Sequence, residues 1–190
     1  MAKKVCRKLS LRDKLRLFLS NYKRLHHAAV THQDEVIGCG AVNIIAGSRM
    51  LSELDKGHYF GDTAIFAPNL AVAEDAWGRI ESSSMPELSK VDRARFVASF
   101  SSHEPVAIDA LDYIERSNLH EPEKVKHADY IGVHTSHLSV AKRTLNFIVR
   151  SKLGNEDKIP YMRELSNRSK HDSIKRRARE WLGGYKIAKA

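Results

Sequence analysis

Residues 121–154 (EPEKVKHADYIGVHTSHLSVAKRTLNFIVRSKLG) and 155–185 (NEDKIPYMRELSNRSKHDSIKRRAREWLGGY) decide the fold. In both stretches apolar or histidine side chains recur every three or four residues, which is the spacing of one face of an α-helix. Pro122 and Pro160 are suited to a first helical turn, and Gly154 and Gly183-Gly184 to the ends of helices. The pattern predicts two long helices, about 122–153 and 158–182.

The rest of the chain also favours helices. Ser10 and the apolar residues after it predict a third long helix, about 10–31. Residues 36–55 have helical spacing, although their glycines weaken a helix and leave a strand over 41–46 as an alternative. Residues 57–68 resemble a loop, and Asn69, Ser89 and Pro105 mark the starts of shorter helices. We expect an all-α compact bundle of six or seven helices without an internal repeat.

The 190 residues are enough for one helical domain, 1–190, with a possible internal linker at 82–86. Cys6 and Cys39 have neither metal-type nor redox-type spacing, which indicates a reducing, cytoplasmic environment. No apolar run is long enough to span a membrane, so we expect no membrane partner. The basic, amphipathic N-terminus still allows an organelle transit peptide.

The net charge of +9 is unevenly distributed. Residues 1–24 carry nine Lys or Arg against one Asp, and residues 154–190 carry ten against five acids, whereas residues 25–120 carry seven against fourteen. Basic ends around an acidic middle predict a nucleic acid or an acidic protein surface as partner, including another copy of the chain. The predicted nucleic-acid contacts are Lys14, Arg16, Lys23, Arg24, Lys175, Arg176, Arg177 and Arg179.

Four residues near the start of the 121–154 stretch are candidate metal ligands: Glu123, His127, His134 and His137. Histidine and carboxylate side chains on one helix face can hold a transition metal if other helices complete the site. The paired Glu-x-x-His motif of di-iron bundles and the His-Glu-x-x-His motif of zinc enzymes are both missing. The alternative is half-buried histidines that make hydrogen bonds or meet a partner chain. We therefore predict no cofactor.

The phase of the apolar pattern in the last stretch shifts at Ser166–Lys170, which predicts a kink, or a break with a fresh helix start. The segment Leu165-Ser166-Asn167-Arg168-Ser169-Lys170-His171 resembles the Leu-x-Asn-x-x-Lys-His segment of HEPN-like helical proteins from defence and toxin systems. That family forms small helical bundles that often pair into dimers, and its active members cleave RNA with an arginine and a histidine.

The resemblance implies a metal-independent ribonuclease in which His171 moves the proton of a ribose hydroxyl and Arg168 or Arg163 steadies the phosphate, with Asn167 beside them. The spacing of both arginines from His171 differs from the family's four to six residues. The alternative is a polar junction in which Asn167 and His171 satisfy backbone groups. Three hypotheses follow: a non-catalytic nucleic-acid-binding protein, which we favour, a ribonuclease, and a helical assembly subunit that docks through oppositely charged surfaces.

Overall fold

A computed structural model describes residues 22–189, with side chains from residue 22 to residue 185. This part of the chain forms ten α-helices and no strand, so the all-α class is confirmed and the expected count of six or seven helices is wrong. Among these ten helices none is long and apolar enough to cross a membrane. The helices are α1 (Tyr22–Thr31), α2 (Glu35–Ala46), α3 (Glu53–Phe66), α4 (Leu70–Ser82), α5 (Glu87–Phe100), α6 (Glu104–Arg116), α7 (Glu121–His134), α8 (Leu138–Arg150), α9 (Asn155–Arg168) and α10 (Asp172–Lys189).

The helix predicted over 122–153 is two helices, α7 and α8. The break falls at Thr135, which has extended backbone and whose hydroxyl oxygen accepts a hydrogen bond from the backbone N–H of His137. A Ser or Thr hydroxyl that bonds two residues ahead competes with the helical hydrogen bond and ends the helix. The apolar residues of α7 and α8 follow nearly the same helical spacing. The sequence pattern therefore did not reveal the break between the two helices.

The helix predicted over 158–182 is also two helices, α9 and α10, and the predicted break near Ser166–Lys170 is confirmed. Ser169 ends α9 in the same way as Thr135 ends α7, because its hydroxyl oxygen accepts a hydrogen bond from the backbone N–H of His171. Pro160 lies inside α9 rather than at its start, and Gly183-Gly184 lies inside α10 rather than after it. Acidic side chains in the first turn of α9, which favour a helix N-terminus, explain its earlier start.

Other helix ends follow local capping. Residues 57–68, expected to be a loop, lie mostly in α3, which begins with a capping box between Ser52 and Asp55. The predicted cap at Asn69 is confirmed, because its side chain accepts from the backbone N–H of Ala71. The strand alternative over 41–46 is helical in α2. Residues 82–86 run from the end of α4 to the connection before α5. Of the helix predicted over 10–31, residues 22–31 are confirmed as α1, and residues 10–21 lie outside the described part.

The helices recur at one constant interval, so the expectation that the chain lacks an internal repeat is wrong. Helices α3, α5, α7 and α9 are each 14 residues long and begin at residues 53, 87, 121 and 155. Helices α4, α6, α8 and α10 begin at residues 70, 104, 138 and 172. An interval of about 34 residues lies within the range of repeated helical hairpins. The fourth residue of each hairpin is a lysine: Lys56, Lys90, Lys124 and Lys158.

Three of these lysines make the same hydrogen bond. Each Nζ donates, over 2.9 Å, to the backbone carbonyl nine residues earlier, at the end of the preceding helix: Lys90 to Glu81, Lys124 to Glu115 and Lys158 to Val149. The last carbonyls of an α-helix have no partner within the helix and carry partial negative charge. An ammonium group at that point satisfies a carbonyl and ties each hairpin to the preceding one.

The connection inside each of the last three hairpins has the sequence Ser/Thr-x-His, at residues 101–103, 135–137 and 169–171. The Ser101 hydroxyl donates to the Ala64 carbonyl (2.9 Å), and the Ser169 hydroxyl donates to the Gly132 carbonyl (3.0 Å). The histidines of the same connections also contact backbone carbonyl oxygens one repeat earlier. His103 Nε2 lies 2.8 Å from the Ala67 oxygen, and His171 Nε2 lies 3.2 Å from the Thr135 oxygen. These bonds satisfy further carbonyls at the ends of α3 and α7.

The described part of the chain divides into two compact units: residues 22–93 with 101–106, and residues 94–100 with 107–189. The core of unit 1 contains Leu25, Ile45 and Ile80, which are fully buried. The core of unit 2 is built from α7 to α10 around Leu145, Ile148, Met162, Leu165 and Ile174.

Gly132 shows how closely the helices of unit 2 approach one another. A Cβ atom at this position would lie 2.6 Å from Thr144 Oγ1 on α8 and 2.8 Å from Leu165 Cδ2 on α9. Both distances are well below van der Waals contact, so a side chain here would force the side chains of Thr144 and Leu165 to move. Close packing therefore favours glycine at this position, whose backbone conformation is ordinary for a helix.

We predict that Lys158→Met destabilises the protein by about 1–2 kcal/mol, because a charge-assisted bond to the end of α8 is lost. Lys158 is only 5% exposed, so water cannot easily replace it. The measurement is the free energy of unfolding by urea. The control is Lys152→Met, at an exposed lysine shortly after α8. A surface substitution of this kind should change stability by no more than about 0.5 kcal/mol. Equal effects of the two substitutions would contradict the role of the repeated lysine.

Candidate nucleic-acid interface

One face of α8 is basic and exposed. Lys142, Asn146 and Arg150 follow one another at intervals of four residues, so they lie on the same side of the helix, and all three are exposed. Helix α8 as a whole contains three Lys or Arg residues and no Asp or Glu. The positive charge of this face is therefore not compensated within its own helix.

The basic face continues onto α10. Arg177 donates a hydrogen bond from Nη2 to Asn146 Oδ1 (3.3 Å), which places the exposed sides of the two helices next to each other. Arg176 precedes it, with 76% of its side chain exposed, and makes only a long ion pair of 3.8 Å with Glu180. We call Lys142, Asn146, Arg150, Arg176 and Arg177 the α8–α10 basic surface.

The predicted cations of α10 make different kinds of contact in the structure. Arg179 donates to the backbone carbonyl of Ser166 on α9 (3.2 Å), so it helps to hold α10 on α9. Lys175 pairs with Asp172 on its own helix (3.3 Å). Both stand at positions that are buried and apolar in the two preceding hairpins, such as Ala141 and Leu145 of α8. Arg176 and Arg177 are exposed, as is Arg179 in spite of its contact with Ser166.

Two of the predicted cations of the N-terminal region, Lys23 and Arg24, belong to unit 1. Lys23 and Arg24 are both exposed in the first turn of α1. Lys14 and Arg16 lie outside the described residues. Their contribution to nucleic-acid contacts stays a prediction.

Arg143, although basic, is not part of this surface. Its guanidinium forms ion pairs with Glu115 (2.8 Å) and with Asp112, both on α6. The hydrogen bond and the charge of Glu115, followed by those of Asp112, raise the pKa of Arg143 further above its usual range. Two carboxylates around one guanidinium make this a structural contact between α6 and α8 rather than a site for an anion.

The four candidate metal ligands do not converge. His127 is buried in α7, Glu123 is exposed in the first turn of the same helix, and His134 and His137 lie on either side of the break before α8. His134 Nδ1 lies 2.8 Å from the carbonyl of Tyr130. Within residues 22–189 no three His, Cys, Asp or Glu side chains are grouped so that they could hold a metal ion.

The residues of the ribonuclease hypothesis lie around the end of α9. Arg163, Asn167 and Arg168 are exposed, and Arg168 forms an ion pair with Glu164 one turn earlier. His171 is half-buried and its Nε2 lies on the Thr135 carbonyl, as the Nε2 of His103 lies on the Ala67 carbonyl. This contact agrees with the alternative interpretation of His171 as a group that satisfies the backbone, whereas the side chain of Asn167 is exposed next to Ser166.

Asp129 is an electrostatic feature that the sequence did not indicate. It lies in α7, largely buried, near Glu164 and Arg168 of α9. Burial raises the pKa of Asp129 to about 7, and Glu164 adds to the rise while Arg168 opposes it. Its Oδ1 atom is buried and accepts no hydrogen bond, so the lost hydration of this oxygen is not replaced.

The basic face of α8 was not predicted from the sequence, because Lys142 and Arg150 are separated by apolar and polar residues. A signal was available: both stand in a stretch without acidic residues, two helical turns apart. The comparisons with known proteins add no guidance, since no family model, no curated protein and no solved structure matches the chain. The resemblance to HEPN-like proteins therefore stays a prediction.

We predict that Asp129→Asn stabilises the protein above neutral pH by roughly 1–3 kcal/mol. A raised pKa in the folded state means that the folded protein holds a proton which the unfolded chain releases near pH 4, so stability falls as the pH rises from about 4 through about 7. Thermal and urea unfolding from pH 4 to pH 8 should show the two proteins diverging as the pH rises. Glu180→Gln, at an exposed carboxylate of α10, should follow the wild-type curve. Parallel curves for wild type and Asp129→Asn would count against the argument.

Proposed function

We propose that this protein binds a polyanion, most simply a nucleic acid, through the α8–α10 basic surface. One observation carries the proposal: the exposed, acid-free stripe of α8 is continued onto α10 by the bond between Arg177 and Asn146. Lysine and arginine side chains displace the counterions of a phosphate backbone, which supplies most of the free energy of non-specific binding. Contacts of this kind position a strand without reading its sequence.

The division of the basic residues supports the proposal. Arg143, Lys158 and Arg179 are each held by carboxylates or backbone carbonyls, so the fold itself uses them. Lys142 and Arg150 are exposed side chains whose charge the packing of unit 2 does not require. Exposed cations on one face of two adjoining helices are suited to successive phosphates. The basic surface needs no cofactor for this function.

We predict that Lys142→Gln combined with Arg150→Gln weakens nucleic-acid binding and lowers its dependence on salt. The slope of log K against log salt concentration should fall by about 1.5, because about two phosphate contacts are lost. The measurement is fluorescence anisotropy with labelled RNA and DNA at several salt concentrations. The matched control is Arg49→Gln combined with Lys170→Gln, which removes the same charge at exposed positions outside the surface. Equal slopes for the two double variants, or binding that does not respond to salt, would reject the proposal.

The third hypothesis, an assembly subunit, is tested with the same proteins. Docking of a basic surface on an acidic surface of another copy also weakens with salt. Light scattering of the protein alone distinguishes the two cases. A mass that falls towards the monomer in the Lys142→Gln/Arg150→Gln variant, without any nucleic-acid binding by the wild type, would favour assembly.

The ribonuclease hypothesis is retained as a second candidate on one observation: Arg163, Asn167 and Arg168 are exposed on the last turns of α9, directly before His171. If His171 transfers the proton, His171→Ala should abolish RNA cleavage in the presence of EDTA. His103→Ala is a matched control, because it removes the corresponding imidazole–carbonyl bond in unit 1 and should keep the activity. Equal cleavage by the three proteins, or none by any of them, removes the hypothesis.

A further inference from the structure

Four aromatic rings of unit 2 form one cluster that the basic surface does not include. Phe96 and Phe100 come from α5, and Tyr130 and His134 come from α7. The edges of Phe96 and Phe100 meet the Tyr130 ring at centroid distances of 6.2 Å and 6.4 Å, and the His134 ring stacks on Tyr130 at 4.2 Å. We call these four residues the aromatic cluster.

The aromatic cluster reaches the surface. Phe100 is 39% exposed, and the other three rings are half-buried. A phenylalanine buried in a core would gain far more free energy from the loss of water contact. Part of Phe100 is therefore accessible to a planar ligand.

An arginine adds charge to the aromatic cluster. The guanidinium carbon of Arg95 lies 4.7 Å from the Phe96 ring centroid and 4.9 Å from that of Tyr130. A guanidinium held against two rings is pre-organised, and its plane can stack on a base while its N–H groups approach phosphate. Aromatic rings combined with arginine are the usual means of binding single strands without sequence preference.

His134 supplies a polar group at the edge of the rings. Its Nδ1 atom lies 2.8 Å from the carbonyl oxygen of Tyr130. A carbonyl can only accept, so Nδ1 carries the proton in the neutral ring. Nε2 then carries the lone pair and can accept a hydrogen bond. The amino groups of adenine, cytosine and guanine are donors of the matching kind.

The helices of the aromatic cluster and α9 carry exposed cations as well as acidic residues. Lys126 on α7 and Arg163 on α9 are exposed, as is Arg168, which forms an ion pair with Glu164. The exposed cations can contact the phosphates of a strand whose bases lie on the rings. An acidic peptide would satisfy the charges but would leave the ring faces without a planar partner.

We propose that the ligand is a single-stranded nucleic acid whose unpaired bases stack on the aromatic cluster. This inference rests on the proposed nucleic-acid binding function and specifies its substrate class. In a duplex the bases are stacked inside the helix and cannot reach Phe100. Their stacking on protein rings requires a strand that is already open or has been opened.

The test compares three RNA probes of about 15 nucleotides: a single strand, its duplex, and a strand in which the bases are replaced by abasic sites. Phe100→Ala should weaken binding of the single strand about tenfold and leave the duplex and the abasic strand unchanged. The matched control is Phe66→Ala, at the corresponding position of α3 in unit 1, where the ring is 59% exposed. It should bind all three probes as the wild type does.

A second variant guards against loss of folding. Arg95→Lys keeps the positive charge but removes the planar guanidinium, so it should lower the preference for the single strand while the salt slope stays unchanged. Circular dichroism melts establish that each variant is folded. If Phe100→Ala fails to fold, Arg95→Lys alone decides the proposal.

The outcomes separate this inference from the proposed function. If single strand, duplex and abasic strand bind equally well in the wild type, or if both folded variants bind the single strand as the wild type does, base stacking is wrong while charge-driven binding stands. If polyglutamate displaces the single strand as effectively as unlabelled RNA does, charge alone accounts for binding and base stacking is again wrong. If none of the three probes binds, the proposed function fails as well.

Discussion

The fold depends on how the carbonyl groups at the ends of its helices are satisfied. The last carbonyls of α3, α4, α6, α7 and α8 accept hydrogen bonds from polar side chains that lie further along the chain. An unsatisfied buried carbonyl costs about 1–3 kcal/mol, so these bonds fix where each hairpin can dock on the preceding one. The constant period from α3 to α10 agrees with this requirement, because the lysine returns at the same place in four hairpins and the Ser/Thr-x-His connection returns in the last three.

This requirement changes the meaning of the residues that first suggest chemistry. His137 and His171 occupy the same place in the connections of successive hairpins, so the histidine pattern and the Ser166–His171 junction are two copies of one structural element. Lys124 and Lys158 likewise have structural roles, because each donates a hydrogen bond to a carbonyl at the end of the preceding helix. Lys142 and Arg150 are better candidates for function, because packing gives no reason for them to be basic at the surface.

The sequence was sufficient for the all-α class, for the break at Ser169 and for the cap at Asn69, since each depends on local periodicity or capping chemistry. The sequence was misleading at Gly57 and Gly61, which lie inside a helix. Close packing and the capping box at Ser52 outweigh the low helix propensity of glycine there. The repeat could have been found from the four lysines that recur at one constant interval. The pairing of Arg143 with two carboxylates of α6, and the burial of Asp129, are tertiary facts that no local pattern encodes.

The two candidate contact areas of unit 2 lie on different sets of helices, the basic surface on the second helices of two hairpins and the aromatic cluster on the first helices. In a repeat architecture the first and second helices form separate layers, so successive hairpins extend each layer separately. A rigid duplex that lies along one layer of helices makes no contact with the other layer. A flexible single strand can follow phosphate contacts on one layer and place unpaired bases on the other. The placement of the basic surface and the aromatic cluster on different sets of helices is thus itself an argument for a single-stranded ligand.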